Sequence, residues 1–147
     1  MSKKLLCLDL EGTLISNAIS QIPRPGLFGF LEQVNRICDL KIYTSVSEER
    51  VNNIRRLLID EGAAPSWFQD LEVIRPTNTL KPKSRCGRSD AFILDDQRGG
   101  IIDEEKEWWI PICEFIPPYS RDDSALEHVL GEIEERVSLK KTNERVK

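Results

Sequence analysis

Histidine is almost missing from this chain: among its 147 residues only His128 is one. Zinc sites draw on clustered histidine and cysteine, and cysteine is sparse as well. Cys7, Cys38, Cys86 and Cys113 lie far apart and form no Cys-x-x-Cys pair, so no metal cluster is indicated. The expectation is four reduced thiols, mostly buried, in a reducing cytosol. Long apolar runs are lacking too. Nothing approaches the roughly 20 apolar residues that cross a bilayer. The opening MSKKLLCLDLEG sets two lysines before an apolar run, as signal peptides do, but the run is short and Asp9 and Glu11 interrupt it. A cytoplasmic location and no membrane partner are therefore expected. Positive charge is not in excess. Lys and Arg total 21 against 25 Asp and Glu, a net charge of -4, so the whole molecule is no electrostatic match for nucleic acid. Internal repeats and low-complexity tracts are also missing.

What is there is the composition of a soluble globular domain, 39% hydrophobic and 31% charged. The length suits one domain that buries its core without disulfides or structural metals. A single domain over residues 1–137 is expected, with residues 138–147 as a basic, frayed tail.

Residues 4–10 (KLLCLDL) form a short run apolar on both faces, the pattern of a buried parallel strand, and Gly12 permits a sharp turn after it. A loop with two prolines leads to a helix near Pro25, whose stripe is Leu27, Phe28, Phe30, Leu31, Val34 and Ile37. Residues 40–45 (LKIYTS) read as a second strand. Ser45 or Ser47 caps the next helix, and Ser45 with Glu48 fits a capping box. Its stripe is Val51, Ile54, Leu57 and Leu58, and Gly62 stops it. Residues 71–74 form a third strand and residues 91–96 (AFILDD) a fourth, with a basic loop over 75–88 between them. Residues 108–115 form an edge strand, since Pro111 lies in it. Asp122 or Asp123 caps a last helix with the stripe Leu126, Val129, Leu130, Ile133 and Val137. Strands alternating with helices imply an α/β fold with a mostly parallel sheet of about five strands and helices on both faces.

In such sheets ligands bind beyond the carboxyl ends of the strands. Two of these strands end in acids, Asp9 with Glu11 and Asp95 with Asp96. Acids brought side by side repel, and magnesium, which prefers carboxylate oxygens, relieves that conflict. The plainer alternative is that the acids cap strands and face solvent. Thr44 adds a hydroxyl at the same sheet edge, and Lys81 an ammonium in the loop before the fourth strand. Phosphoryl transfer needs this set: a nucleophilic carboxylate, a second acid, a hydroxyl, a cation and a metal site.

Asp9-Leu-Glu11-Gly12-Thr13-Leu14 resembles motif I of the haloacid dehalogenase superfamily, usually DxDGT[LV]. Thr44 resembles motif II, Lys81-Pro82 motif III and Asp95-Asp96 motif IV, in the family's order. Residues 81–88 (KPKSRCGR), the FILDD strand and the WIPICEF segment are more closely similar to the carboxy-terminal-domain phosphatases of the NLI-interacting-factor type. The resemblance spans about residues 3 to 135. It implies a three-layer Rossmann-like fold and an aspartyl-phosphate formed on Asp9. It also implies magnesium held by Asp9, the main-chain carbonyl of Glu11 and Asp96, with Asp95 acting through a water. Thr44 would donate to a phosphoryl oxygen and Lys81 would neutralise the phosphoryl group, with Lys83 as its rival. Ser45, Lys83 and Arg88 are the expected substrate contacts; the plainer reading of Lys83, Arg85 and Arg88 is a solvated loop. One departure stands out. Where the family has a second aspartate, this chain has Glu11, whose similar pKa suits acid–base work but whose carboxylate sits one methylene farther out.

Neither the stretch after Leu14 nor that between Thr44 and Lys81 leaves room for a cap domain. An uncapped site suits a phosphate on a macromolecule: a phosphoprotein first, a nucleic-acid end second. A small-molecule phosphatase closed by oligomerisation and a binding module that keeps the fold without turnover are the alternatives. A dehalogenase is weaker, having no need of the second acidic pair.

Overall fold

The structure is a computed structural model that describes the backbone of residues 3–146 and the side chains of residues 3–138. Strands β1 (Lys4–Leu8), β2 (Cys38–Tyr43), β3 (Val73–Ile74), β4 (Ala91–Asp95) and β5 (Trp109–Pro111) form one sheet in the order β3-β2-β1-β4-β5. Every neighbouring pair is parallel. Helices α1 (Leu27–Ile37) and α2 (Glu48–Asp60) follow β1 and β2, and α3 (Ala125–Val146) follows β5. The α3 backbone continues through the segment expected to fray, whose side chains from 139 on lie outside the described residues.

Alternation along the strands divides the core in two. Leu6, Leu8, Leu40, Ile42, Phe92 and Leu94 face one large cluster that takes in the apolar stripes of all three helices. Leu5, Cys7, Tyr43, Ala91 and Ile93 face the other side and meet Cys86 and Ile101. Helices were expected on both faces; among the described residues that second layer is built from loops and 3₁₀ turns, Lys83–Cys86 and Arg98–Gly100, in place of an α-helix. Right-handed crossovers explain the split: the order β1 to β3 runs one way across the sheet and β4 to β5 the other, so the connections fall on opposite faces.

Local differences from the expected elements have simple causes. Ser47, not Ser45, caps α2, its side chain accepting from Arg50 N at 3.4 Å. Gly62 does follow α2, with a left-handed φ of 75°. Phe28 and Leu57 lie at the margins of their stripes and stay exposed, while Arg55 is buried on α2 and donates to Leu71 O at 2.8 Å. β3 and β5 are shorter than expected because, as edge strands, each is paired on one side only. At the start of α3 Asp123, not Asp122, accepts from Ala125 N. Three cysteines are buried and Cys113 is exposed, all with free thiols. No helix among the described residues is long and apolar enough to cross a membrane.

Candidate active site

β1 sits at the centre of the sheet, and its register aligns Leu8 with Ile42 on one side and Leu94 on the other. The chain thus leaves three neighbouring strands at one level, and Asp9, Thr44 and Asp95 occupy their carboxyl ends. Asp9 N donates to Leu94 O at 3.0 Å, fixing β1's exit against β4. Beyond Asp9 the chain turns sharply. Leu10 O accepts from Leu14 N at 3.0 Å and Ile15 N at 3.2 Å. Gly12 has φ +76°, and a Cβ there would lie 2.6 Å from Asp96 Oδ2. Both the turn and the approach of Asp96 therefore require glycine. Gly12→Ala is expected to destabilise the protein by about 1–3 kcal/mol and to push Asp96 away from Asp9. Denaturant melts, together with magnesium titration of the folded variant, check both effects.

Asp9 is buried, and its two oxygens have different partners. Oδ1 accepts from Lys81 Nζ at 2.7 Å, and Oδ2 from Thr13 Oγ1 at 2.8 Å. The same ammonium reaches Asp95 Oδ2 at 2.6 Å. Asp95 Oδ1 accepts from Gln97 N at 2.8 Å, and Asp96 Oδ2 from Gln97 Nε2 at 2.7 Å. Thr13 Oγ1 also lies 3.1 Å from Asp96 Oδ1, so one hydroxyl hydrogen faces two carboxylates.

Burial pushes the Asp9 carboxyl well above the ordinary carboxylate range; Lys81 opposes the shift and Asp95 adds to it. Burial likewise raises Asp95 against the pull of Lys81. For Asp96 burial acts upward, but hydrogen-bonding interactions with Asp9, Gln97 and Thr13 outweigh it and hold the carboxyl low. Burial would lower Lys81, yet Asp9 and Asp95 keep it above its usual value. Two carboxylates, Asp9 and Asp95, thus share a single ammonium, and a third, Asp96, lies beside them. One oxygen from each of Asp9, Asp95 and Asp96 lies within 4.8 Å of the others. A hard divalent cation fits this donor set, being oxygen-only and under-neutralised.

These groups floor an open recess of about 670 Å³. Its walls carry Glu11, Ser16, Asn17, Ser45, Asn78 and Glu114. Glu11 Oε2 is held by Ala18 N at 2.6 Å, which ties the carboxylate to the loop after the turn.

A family model for NLI interacting factor-like phosphatases matches residues 4–145. The chain belongs to that family. Among solved structures, fission yeast RNA polymerase II CTD phosphatase Fcp1 bound to beryllium fluoride is similar, with a TM-score of 0.56 and 16% identity. The match covers 96% of this chain and 52% of that one, so the chain spans about half of its length. At this identity the likeness concerns the fold. No curated protein sequence matches.

Set beside the sequence expectations, the fold brings Asp9, Glu11, Lys81, Asp95 and Asp96 together. Lys81, not Lys83, meets the acids. Ser45 lines the recess, and Thr44 is buried beside it, its Oγ1 accepting from Val46 N at 3.1 Å. Two expected substrate contacts lie elsewhere. Arg88 binds Asp39 at 2.6 Å, Asp90 at 2.7 Å and Lys3 O, at the amino ends of the strands. Lys83 stacks over Trp108, 3.6 Å from the ring centroid, and donates to Ser89 O. In each case local partners satisfy the cation away from the recess. Sequence reasoning missed Arg24, fully buried, whose Nη1 donates to Gly12 O at 3.3 Å and Thr13 O at 3.2 Å while Nε pairs with Asp123 at 2.9 Å. A signal was there: Arg24 is the only charged residue between Gly12 and Leu31, and prolines flank it. Gln97 was missed too, and nothing in its local sequence marks it.

Proposed function

We propose that this chain is a magnesium-dependent phosphatase that hydrolyses a phosphate monoester on a phosphoprotein through an aspartyl-phosphate on Asp9. The observation that carries the reading is the clustering of Asp9, Asp95 and Asp96 at the carboxyl end of the central strands, with Lys81 bridging Asp9 and Asp95. Asp9 attacks phosphorus as the bond to the leaving oxygen breaks, and Glu11 gives that oxygen a proton. Glu11 then takes a proton from water, which attacks the phosphorus, frees inorganic phosphate and restores Asp9. Lys81 offsets charge on the phosphoryl oxygens, and the hydroxyls of Thr44 and Ser45 donate to them. Magnesium, held by Asp9, Asp96, the main-chain carbonyl of Glu11 and Asp95 through water, would supply further neutralisation.

Support for a protein substrate comes from the rim. Ile19, Leu80 and Ile116 are 85%, 41% and 57% exposed, and each lies within two residues of a recess-lining position. Exposed apolar side chains around an open recess suit a macromolecular surface.

A rival reading, a binding module without turnover, draws on Glu11, whose carboxylate braces the backbone of Ala18. One set of assays separates the two. Phosphate release is measured with and without magnesium on phosphopeptides, phosphorylated oligonucleotides and sugar phosphates, for the parent protein and Glu11→Asp. A phosphatase releases phosphate only with magnesium, and Glu11→Asp changes the rate in either direction. Magnesium also raises the melting temperature, since it binds where folding has joined the acids, and Asp96→Ala loses that rise. No release from any ester by either protein would leave only the binding module.

A further inference from the structure

We infer that this site rejects substrates carrying a second anion beside the phosphate, and that Glu114 is a specificity-determining residue in that rejection. The inference rests on the phosphatase reading and deepens it. Among the described residues lining the recess there are five carboxylates, Asp9, Glu11, Asp95, Asp96 and Glu114, and one cation, Lys81. Lys81 is committed to the floor, bridging Asp9 and Asp95. A bound magnesium ion and a phosphoryl dianion would cancel each other, so the recess stays negative when filled.

The remaining wall contacts are neutral hydrogen-bonding groups: Ser16, Asn17, Ser45, Asn78, Thr79 and Gln97. Glu114 is the exposed acid among them and takes no part in holding Asp9 or its partners. Cations near the rim in sequence are turned to other partners. Arg75 donates to Val46 O, and Arg85 to Thr77 Oγ1 at 3.1 Å. Arg98 pairs with Asp103 at 2.5 Å, and Lys83 sits over Trp108. Proteins that grip a nucleic-acid end need lysine or arginine for the adjoining backbone phosphates. These walls offer acid and amide instead. A polypeptide with a single phosphate and neutral or basic neighbours meets no such repulsion, and a basic neighbour is attracted.

The test uses phosphoserine peptides identical except for one flanking residue (Asp, Ala or Lys) and a 5′-phosphorylated oligonucleotide, with p-nitrophenyl phosphate as the reference that carries no charge beyond its phosphate. Binding is followed in parallel with the matching non-hydrolysable phosphonate peptides, which report whether or not turnover is fast. Charges some 6–8 Å apart across water correspond to about a threefold preference per charge, more where the wall excludes solvent. We expect Lys over Ala over Asp in kcat/KM and in affinity, with the oligonucleotide weakest of all. Raising ionic strength compresses the series. Glu114→Gln narrows the Lys-to-Asp ratio and Glu114→Lys reverses it, both with the parent's melting temperature because the side chain is exposed. Equal rates and affinities for all flanks, with p-nitrophenyl phosphate still hydrolysed, would overturn the inference and leave the phosphatase reading standing. So would an unchanged ratio in Glu114→Lys. Failure of the reading itself looks different: no release even from p-nitrophenyl phosphate and no phosphonate binding.

Discussion

Asp9→Asn is expected to lower phosphate release by at least roughly a thousandfold while the protein stays folded. The amide keeps the shape of the side chain, so the turn from Leu10 to Ile15 is undisturbed. It cannot attack phosphorus as a carboxylate does, and no neighbouring group can stand in. Asp95 is engaged by Lys81 and Gln97 N, and Asp96 by Thr13 and Gln97. Stability should hold or rise. Burial already holds the Asp9 carboxyl well above its ordinary range, and a neutral group there removes one of three converging acids. Initial rates on an active phosphopeptide, with a thermal melt of the same sample, check both halves. A loss smaller than tenfold would rule out the covalent mechanism. The stabilisation by magnesium should disappear with the activity, because the metal loses a charged ligand.

Arg24→Met should be the most destabilising change outside the apolar core, by about 3–5 kcal/mol. The Arg24 side chain is fully buried and its partner Asp123 is partly buried. The fork of the guanidinium binds the start of α3 and the carbonyls of Gly12 and Thr13 at once, and Nη2 adds contacts to Asp123 and to Cys113 Sγ at 3.4 Å. Removing it takes a donor from each of them, leaving Asp123 with Ala125 N, Gly12 O with Phe115 N, and Thr13 O without this partner. Arg24→Lys should recover little, since one ammonium cannot span those positions. Pairing Arg24→Met with Asp123→Leu should recover part of the loss. Acid behaviour gives an independent check. Burial raises the Asp123 carboxyl, but Arg24 and Ala125 N outweigh it and hold it below the ordinary carboxylate range. A depressed carboxyl stabilises the fold above its unfolded pKa of about 3.9, and that contribution fades as pH falls through the folded value. Arg24→Met should lose that acid-sensitive share of stability. Urea midpoints measured from neutral pH down to pH 3 would reveal it. A cost under 1 kcal/mol at neutral pH would mean that the buried fork is not the tether described.

The parts of this protein visible in its sequence are those fixed by short-range pattern. β1 and β4 announce themselves as apolar runs closed by acids, and α1 to α3 by their stripes. Asp9, Asp95 and Asp96 could be placed because a parallel sheet puts strand ends on one edge. The parts that escaped depend on partners far along the chain. Arg88 looked like a phosphate ligand until Asp39, 49 residues away, was seen to hold it at the other end of the sheet. Lys81 and Lys83 are two residues apart; the Lys-Pro dipeptide and the spacing to Asp95 favoured Lys81, and it is Lys81 that meets Asp9. The layer of 3₁₀ turns has no period long enough to read. Arg24, alone in charge among apolar and neutral residues, was legible in principle. Its carboxylate partner lies 99 positions on.

The sheet order has a bearing on when the site comes into being. The first half of the chain contains β1, α1, β2 and α2, which pair with near neighbours and can organise early. The other flank of β1 waits for β4. Thr13 meets Asp96 across 83 residues and Asp9 meets Lys81 across 72, and each such contact requires closing a loop of that length. During synthesis Asp9 and its near partner Thr13 therefore leave the ribosome long before Lys81, Asp95 and Asp96. On the proposed mechanism an unfinished chain has Asp9 and lacks Lys81, Asp95 and Asp96, so it could neither collect a metal nor hold a phosphoryl group. Chemical competence arrives only when β4 zips onto the central strand, which keeps the site silent until the fold around it is nearly complete.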